Sequence, residues 1–295
     1  MASGTIPLSE IPTLSLLYKL NKITPAASPS PRATSKFNDK ISLIQTDITE
    51  LRVHAIVNAA NQSLLGGGGV DGAIHKAAGR ELVAECRTLD GCDTGSAKIT
   101  KAYGRLLCVN VIHAVGPVYT RRGLSEEQGG DGSNERLLRG CYSTSLDLAA
   151  KHDLKSVAFS ALSTGAYGYP SKAAAAVALH AVKDWLEADE ERAAKMKRII
   201  FCQFMDKDQE AYEELVPQLF TPFTESVDAE DETKQVEYSS AVSKPVPDTE
   251  TAQVPDAEPK RVDEVLKLPD VPTKEPTLPD EPESKRQKLD ETAKV

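Results

Sequence analysis

Short apolar, β-branched runs alternate along this chain with longer segments of helical periodicity. The predicted strands are residues 41–45, 55–59, 106–113, 156–162 and 198–204. The predicted helices are residues 72–89, 134–152, 171–188 and 209–219. Because strands this apolar must be covered on both faces, the alternation predicts an α/β fold, a three-layer α/β/α sandwich with a largely parallel sheet. Ligands bind such sheets beyond the carboxyl ends of the strands, so functional residues are expected in the segments that follow them.

The composition of the chain changes near residue 225. All of the formal net charge of −9 lies in residues 225–295, where 19 acidic side chains face 10 basic ones. That stretch also holds 9 of the 18 prolines and no glycine. Such a segment buries too little apolar surface to offset the entropy of ordering it. We therefore expect an N-terminal extension at residues 1–40, one folded domain at residues 41–222 and a disordered acidic tail at residues 223–295.

The composition also excludes several classes of protein. The chain has no run of about 18 apolar residues, so we expect no membrane span, and residues 1–10 do not resemble a secretory signal. The odd number of cysteines, five, predicts reduced thiols in an intracellular compartment. No CxxC pair occurs and the five histidines are scattered singly, which argues against zinc. A neutral folded part with an acidic tail argues against direct binding to duplex nucleic acid.

Four consecutive glycines, Gly66–Gly69, lie between the second predicted strand and a predicted helix. Backbone N–H groups there, together with the helix N-terminus, suit a phosphate or diphosphate. The motif is neither GxGxxG nor a P-loop. The alternative is a flexible linker, which the flanking carboxamides and apolar pair disfavour. Asp71 is either a functional carboxylate or a helix cap, and His75 is expected to be a packed histidine outside the chemistry.

Three further segments follow predicted strands. Asp47 is either a turn carboxylate or an acceptor for an exocyclic amine such as adenine N6. The loop Ser163-Thr164-Gly165-Ala166-Tyr167 opens onto a helix, and it is either an ordinary turn or the other side of a diphosphate site, with Tyr167 covering a sugar face. Phe204 is either a residue of the core or an aromatic on which a base stacks.

Taken together, these segments resemble a known family. TDIT, IVNAANQSLLGGGGVDGAIHKAAG, GCDTGSAKIT, VIHAVGP and STGAYGYP occur in this order and resemble macrodomains of the MacroD type, which are ADP-ribosyl hydrolases. The resemblance covers about residues 41–222. It implies a mixed, largely parallel sheet between helices, ADP-ribose in a cleft at the carboxyl edge, and no metal or other cofactor.

The resemblance also implies roles for individual residues. Asp47 would accept from the adenine amine beside the Ile48 backbone, and Phe204 would face the adenine ring. Asn61 and Asp71 would be catalytic, Asn61 by binding the distal ribose hydroxyls and Asp71 by lying near the attacking water. The residues implied to hold the distal ribose and diphosphate are Gly66, Gly67, Gly68, Gly69 and Val70 on one side and Ser163, Thr164, Gly165, Ala166 and Tyr167 on the other.

The function that the resemblance implies is hydrolysis of the ester between mono-ADP-ribose and Glu or Asp side chains, with O-acetyl-ADP-ribose as a second substrate. Either Asp71 or a diphosphate oxygen of the substrate would activate the water. The alternative is a module that binds ADP-ribose without cutting it. Cleavage of poly-ADP-ribose chains is disfavoured, since no Gln-Glu-Glu follows the glycines. Thr46, Lys76 and Ala166 depart from residues common in the family, which affects substrate preference more than activity.

The regions outside the domain complete the prediction. Residues 11–23 are apolar and of helical character, and residues 24–35 are rich in Pro and Ser, which predicts an extended, mobile linker. Near the C-terminus, residues 285–288 form a compact basic cluster that resembles a nuclear import signal. We therefore expect a monomer located in nucleus and cytoplasm that acts on mono-ADP-ribosylated proteins.

Overall fold

The computed structural model of the chain describes residues 4–223. The acidic tail and its basic cluster at residues 285–288 lie outside the described residues. The strands are β1 (Ile6–Pro7), β2 (Ile41–Gln45), β3 (Leu51–Arg52), β4 (Ala55–Ala59), β5 (Ala97–Lys101), β6 (Asn110–Ala114), β7 (Ser156–Phe159) and β8 (Arg198–Gln203). The helices are α1 (Leu14–Lys19), α2 (Gly69–Ala78), α3 (Arg80–Arg87), α4 (Ser133–Lys151), α5 (Ser171–Ala188), α6 (Glu190–Lys195) and α7 (Asp206–Leu219).

Six strands form the central sheet in the order β2-β8-β7-β4-β6-β5. Every neighbouring pair is parallel except β5 and β6, which are antiparallel, so the prediction of a mixed, largely parallel sheet is confirmed. The edge strand β5 was not predicted. Its sequence, AKITK, is only half buried and carries two lysines, so it lacks the continuous apolar run that marks the other strands.

Residues that alternate along the strands supply two separate hydrophobic cores. Ile56 of β4 packs in one core with residues of α2 and α3, and its neighbour Val57 packs in the other with residues of α4, α5 and α7. The same alternation holds for Ala158 and Val157 of β7. Because successive side chains of a strand point to opposite faces, both faces of the sheet are covered. The predicted three-layer α/β/α sandwich is therefore confirmed.

The strand predicted at residues 156–162 ends at Phe159, and the helix predicted at residues 209–219 begins at Asp206. Two further predicted boundaries are wrong for local reasons. The helix predicted at residues 72–89 is two helices, α2 and α3, because Gly79 at φ +83° breaks the helical path. The strand predicted at residues 106–113 begins only at Asn110, since the N–H groups of both Val109 and Asn110 first donate to the carbonyl of His54.

The N-terminal segment packs against the rest of the domain. Leu14 of α1 and Phe37 are buried in the core shared with α4, α5 and α7. The prediction that residues 24–35 form a mobile linker is wrong, because the N–H groups of Ser30 and Thr34 donate to carbonyls of α7 at 2.8 and 3.0 Å. Arg32 also pairs with Asp184 of α5 at 2.6 Å. The helical segment is shorter than the predicted residues 11–23.

None of the helices in the described part of the chain is both long and apolar enough to cross a bilayer.

Replacing Leu14 with alanine tests whether α1 is part of the core. Leu14→Ala should lower the free energy of unfolding by about 2–4 kcal/mol, because the side chain is fully buried and its loss leaves a cavity. The matched control is Leu16→Ala on the same helix, where the side chain is 44% exposed and the change should stay within about 0.5 kcal/mol. Urea denaturation measures both, and equal effects would contradict the packing of α1.

Candidate active site

The carboxyl ends of β4, β6 and β7 meet at one edge of the sheet, and a cavity of about 310 Å³ opens there. The loop after β4 forms one wall with residues 59–61 and 67–70 and with Asp71. Gly116 follows β6, and the loop after β7 forms the opposite wall with Ala161, Ser163 and residues 165–167. The two predicted glycine-containing loops therefore face each other across a single pocket.

The side chain of Asn61 holds the first loop in shape. Its Nδ2 donates to the carbonyl of Gly66 at 2.9 Å, and its Oδ1 accepts from the backbone N–H of Ser63 at 3.0 Å and from the Ser63 hydroxyl at 2.6 Å. Leu64 is fully buried beneath the loop. These contacts contradict the alternative of a flexible linker. Asn61 also lines the pocket, and its second amide hydrogen is available there.

Gly67 lies where the backbone of the loop passes closest to the carboxylate of Asp71. A Cβ atom at this position would stand 3.0 Å from Asp71 Oδ2 and 3.3 Å from Asn61 Nδ2. Gly72 is more restricted, since its Cβ would stand 2.7 Å from a backbone atom, the Gly67 carbonyl oxygen. At Gly68, in contrast, a Cβ would meet nothing within 4 Å. The glycines of the block therefore have different roles, and Gly67 keeps the loop against the two polar side chains.

Asp71 is buried in the first turn of α2, with 3% of its surface exposed. Its Oδ1 accepts from Asn58 Nδ2 at 2.7 Å and lies 3.3 Å from His75 Nε2. The alternative that Asp71 caps its helix is wrong, because the N-cap position is Gly68 and the carboxylate turns toward the sheet instead. Oδ2 faces Gly67, on the side of the pocket.

The second loop is held from beneath by two polar side chains of α7. Thr164 Oγ1 donates to Asp208 Oδ2 at 3.1 Å, and the Thr164 carbonyl accepts from Lys207 Nζ at 2.8 Å. Thr164 thus lies below the loop, while Gly165, Ala166 and Tyr167 line the pocket above it. The Tyr167 carbonyl accepts from the N–H of Tyr119.

Ser163 and Gly116 form a close contact at the floor of the pocket. Ser163 adopts a left-handed backbone conformation at φ +66°, and its buried hydroxyl finds no hydrogen-bond partner within residues 4–223. A Cβ on Gly116 would lie only 2.1 Å from that hydroxyl, so a larger residue at position 116 would displace the hydroxyl from this place. A strained residue with a free polar atom at a pocket is typical of a ligand site. Gly116, in the VGP that follows β6, was not predicted as a site residue.

The three residues assigned to adenine lie at the same sheet edge but outside the lining of this pocket. Asp47 Oδ1 caps a short 3-10 helix by accepting from the N–H of Thr49 at 2.9 Å and its hydroxyl at 2.8 Å, which leaves Oδ2 for another donor. Ile48 is buried. Phe204 is 69% exposed, so the alternative that it belongs to the core is wrong. Gly66 also lies outside the lining, packed on the ring of His75.

His75, Cys86 and His113 come from three different elements, yet their side-chain donor atoms lie within 4.8 Å of one another. The expectation that the histidines are isolated is therefore wrong, because spacing along the chain does not reveal this meeting point. Both ring nitrogens of His113 already face partners, Asn58 Nδ2 at 3.2 Å and Thr100 Oγ1 at 3.0 Å. Burial raises the pKa of the Cys86 thiol to about 11. Within the group, Cys86 Sγ lies 3.6 Å from His113 Nε2.

The chain is similar to known proteins of one family. A family profile described as the macro domain matches residues 57–178. The chain is 49% identical to the ADP-ribose glycohydrolase MACROD1 of Rattus norvegicus over 193 residues, which is 65% of this chain and 70% of the relative. It is 51% identical to a macro domain-containing protein of Chlorobaculum tepidum over 176 residues, 60% of this chain and 95% of the relative.

A solved structure shows the same fold with a ligand. The Trypanosoma brucei macrodomain in complex with ADP-ribose superposes with a TM-score of 0.58 at 34% identity and covers 73% of this chain and 78% of its own.

Substitution of Gly67 tests the close approach of the first loop to Asp71 and Asn61. Gly67→Val should weaken ADP-ribose binding at least about 10-fold, because the added side chain displaces both polar groups and fills the pocket. The matched control is Gly4→Val, at an exposed position outside the pocket where a Cβ meets no protein atom within 4 Å, and we expect its affinity to stay within about 3-fold. Calorimetric titration with ADP-ribose measures both, and unchanged affinity for Gly67→Val would refute the role of Gly67.

Lowering the pH should destabilise the domain through His113. Burial, followed by the neighbouring His75, lowers the pKa of His113 from its ordinary value of 6.5 to about 4. Between these values the unfolded chain binds a proton that the folded chain does not, so stability falls as the pH drops below about 6.5. From pH 7 to pH 5 this amounts to about 2 kcal/mol.

His113→Asn should lose this component of the pH dependence, whereas His152→Asn, at an exposed position, should keep it. Urea denaturation at both pH values measures the difference. Parallel pH dependence in wild type and His113→Asn would show that His113 is not buried in its neutral form.

Proposed function

The chain belongs to the macro domain family, and on this basis we propose that it binds ADP-ribose and hydrolyses the bond between mono-ADP-ribose and a protein. Two findings support the proposal. A relative that is 49% identical bears the name ADP-ribose glycohydrolase, and a structural neighbour holds ADP-ribose. The single observation that carries the proposal is the pocket itself, in which two loops of main-chain donors enclose a buried carboxylate.

The pocket suits a diphosphate that is held without ion pairs. Its lining, within residues 4–223, contains neither Lys nor Arg, and residues 67–69 lead directly into the N-terminus of α2. Backbone N–H groups and the positive end of the helix dipole attract an anion at such a place. Because glycine carries no side chain, the phosphate oxygens can approach the main chain closely. The walls formed by Gly165 and Ala166 are similarly small.

Hydrolysis requires a water molecule held against the bond that breaks. Asp71 is the carboxylate that lines the pocket in the described part of the chain, so it is the group that orients this water or accepts its proton. The carboxylate of a modified Glu or Asp leaves with little assistance from an acid. Water is added across the ester, and the products are free ADP-ribose and the unmodified carboxylic acid. A diphosphate oxygen of the substrate is the alternative proton acceptor.

The sugar is oriented by neutral groups. Asn61 presents its remaining amide hydrogen to the pocket, and Tyr167 supplies an aromatic face on the opposite wall. Neutral donors and acceptors fix hydroxyls without competing with the diphosphate for charge. We assign the distal ribose to the space between these two residues, and the adenine to the exposed face of Phe204 with Asp47 as acceptor for its amine.

The preferred linkage is the finer part of the proposal. We propose esters on Glu and Asp side chains as substrates, and O-acetyl-ADP-ribose as a second substrate, because removal of its acetyl group uses the same pocket and the same water. The rival proposal is a module that binds ADP-ribose without cleaving it. Asn61 and Asp71, both facing the pocket, favour a hydrolase. We also propose that the chain acts as a monomer in nucleus and cytoplasm, the nuclear fraction depending on residues 285–288.

Asp71→Ala should separate binding from turnover. Release of ADP-ribose from a protein mono-ADP-ribosylated on glutamate should fall about 10²- to 10⁴-fold, because the variant loses the group that positions the water. Binding of free ADP-ribose should change by less than about 3-fold, since the buried carboxylate supplies little ligand contact. The control is Asp39→Ala, an exposed aspartate just before β2, which should retain both properties. Mass spectrometry of released ADP-ribose and calorimetry measure the two effects.

Three outcomes of this experiment are distinct. Wild-type release that Asp71→Ala loses supports the hydrolase and its mechanism. Tight binding without wild-type release would instead support the binding module. Loss of binding and turnover by the same factor would contradict the water-positioning role of Asp71.

A further inference from the structure

A chain of buried hydrogen bonds runs from Asp71 away from the pocket and into the sheet. Asn58 of β4 donates from Nδ2 to Asp71 Oδ1 at 2.7 Å, and the same Nδ2 lies 3.2 Å from Nδ1 of His113 on β6. His113 Nε2 lies 3.0 Å from Thr100 Oγ1 on β5, which is 3.4 Å from the carbonyl of Val111. The chain therefore links the reactive carboxylate to three adjacent strands.

The bonds in this chain have a defined direction. Turning the Asn58 amide over would place its Oδ1 against the carboxylate oxygen, two acceptors with no hydrogen between them, so Nδ2 must face Asp71. Each of its two hydrogens then has one acceptor, Asp71 Oδ1 and His113 Nδ1. Because His113 Nδ1 accepts, its proton is on Nε2, which donates to Thr100. The direction of donation along these hydrogen bonds fixes the tautomer of His113. No member of the hydrogen-bonded chain other than Asp71 carries a charge.

Burial keeps the chain in this state. Asn58 and His113 have no exposed surface, and Thr100 is 2% exposed. Burial also lowers the pKa of His113 to about 4, so the ring stays neutral and Nδ1 remains an acceptor at ordinary pH. Inside a protein, hydrogen bonds between groups without access to water hold a fixed geometry. The amide of Asn58 is thus held, on the side away from Asp71, by the His113 ring, which does not readily change its protonation state.

The two oxygens of Asp71 consequently differ. Oδ1 is occupied by Asn58 Nδ2 and lies 3.3 Å from His75 Nε2, whereas Oδ2 is the oxygen nearest Gly67 on the pocket side. Fixing Oδ1 fixes the plane of the carboxylate, and with it the direction of the lone pairs on Oδ2. A water molecule that contacts Oδ2 is therefore held in one direction relative to the bound sugar.

We propose that Asn58 and His113 are positioning residues that orient the Asp71 carboxylate so that Oδ2 presents its lone pairs to the attacking water. This inference rests on the hydrolase function proposed above. Neither residue touches the pocket, so neither contributes to binding of ADP-ribose. They act through Asp71, and their removal should lower the rate of the reaction while leaving the affinity for ADP-ribose unchanged.

Asn58→Leu tests the proposal, because leucine has nearly the shape of asparagine without its donors. We expect the turnover number for release of ADP-ribose from glutamate-modified protein to fall about 10- to 100-fold, since a misdirected carboxylate costs about this much. The dissociation constant of ADP-ribose, measured by calorimetry, should stay within about 3-fold. In the Asp71→Ala background, Asn58→Leu should cause no further loss, because the carboxylate that it orients is absent.

The His113 variants provide a second test that does not depend on Asn58→Leu folding well. In His113→Asn, the Oδ1 atom occupies about the place of Nδ1 and can still accept from Asn58, whereas His113→Leu removes the acceptor. Turnover should therefore be within about 3-fold of wild type in His113→Asn and fall about 10-fold or more in His113→Leu. Thermal melting and ADP-ribose binding of both variants establish that each is folded with an intact pocket.

The outcomes distinguish this inference from the function on which it rests. If the wild type releases no ADP-ribose, the proposed hydrolase function fails and the positioning role fails with it. If the wild type is active but Asn58→Leu retains full turnover, the positioning role alone is refuted. A further loss of turnover on adding Asn58→Leu to Asp71→Ala, or equal loss in the two His113 variants, would also refute it.

Discussion

The parallel pairing of β4 with β6 on one side and β7 on the other is the constraint on which the site depends. The β4–β6 register places Asn58 directly beside His113, and both strands end at the pocket within one residue of each other. The two pocket loops leave from β4 and from β7, its other neighbour. A slip of one residue in this pairing would turn Asn58 to the opposite face of the sheet and leave Asp71 Oδ1 without its donor. The register of the sheet therefore determines the orientation of the Asp71 carboxylate.

The sequence predicted the features that depend on local pattern. Continuous apolar runs marked the five strands that are buried on both faces, and the four-glycine block marked a backbone close to an anion site. The rule that ligands bind at the carboxyl ends of parallel strands pointed to the segments after the strands, and the family resemblance implied that residues 66–70 and 163–167 lie on opposite sides of the site. The exposed position of Phe204 excludes the alternative that it belongs to the core, and the contact of Asp71 with Asn58 of the sheet excludes the alternative of a helix cap.

Three features that were missed depend on contacts between distant parts of the chain. Gly116 matters because Ser163, 47 residues later, presents its hydroxyl at that point. His113 looked like an isolated histidine because its partners come from two other strands and a helix. The segment at residues 24–35 has the composition of a linker, yet backbone hydrogen bonds to α7 and an ion pair to α5 order it. The composition of a segment indicates the conformational entropy that is lost when the segment is ordered. Contacts with residues elsewhere in the fold offset that loss.

The N-terminal segment contacts the edge of the sheet as well as the core. β2 is an edge strand, and an uncovered edge offers a row of free N–H and C=O groups to any other strand. In this chain Thr13 bridges to Ser42 of β2, and Arg198 Nη1 ties the carbonyl of Ile11 to the Ser42 hydroxyl. The N-terminal segment thus covers that edge. A shorter chain that begins at β2 would leave the edge strand uncovered, and copies of the chain could then aggregate by pairing edge to edge.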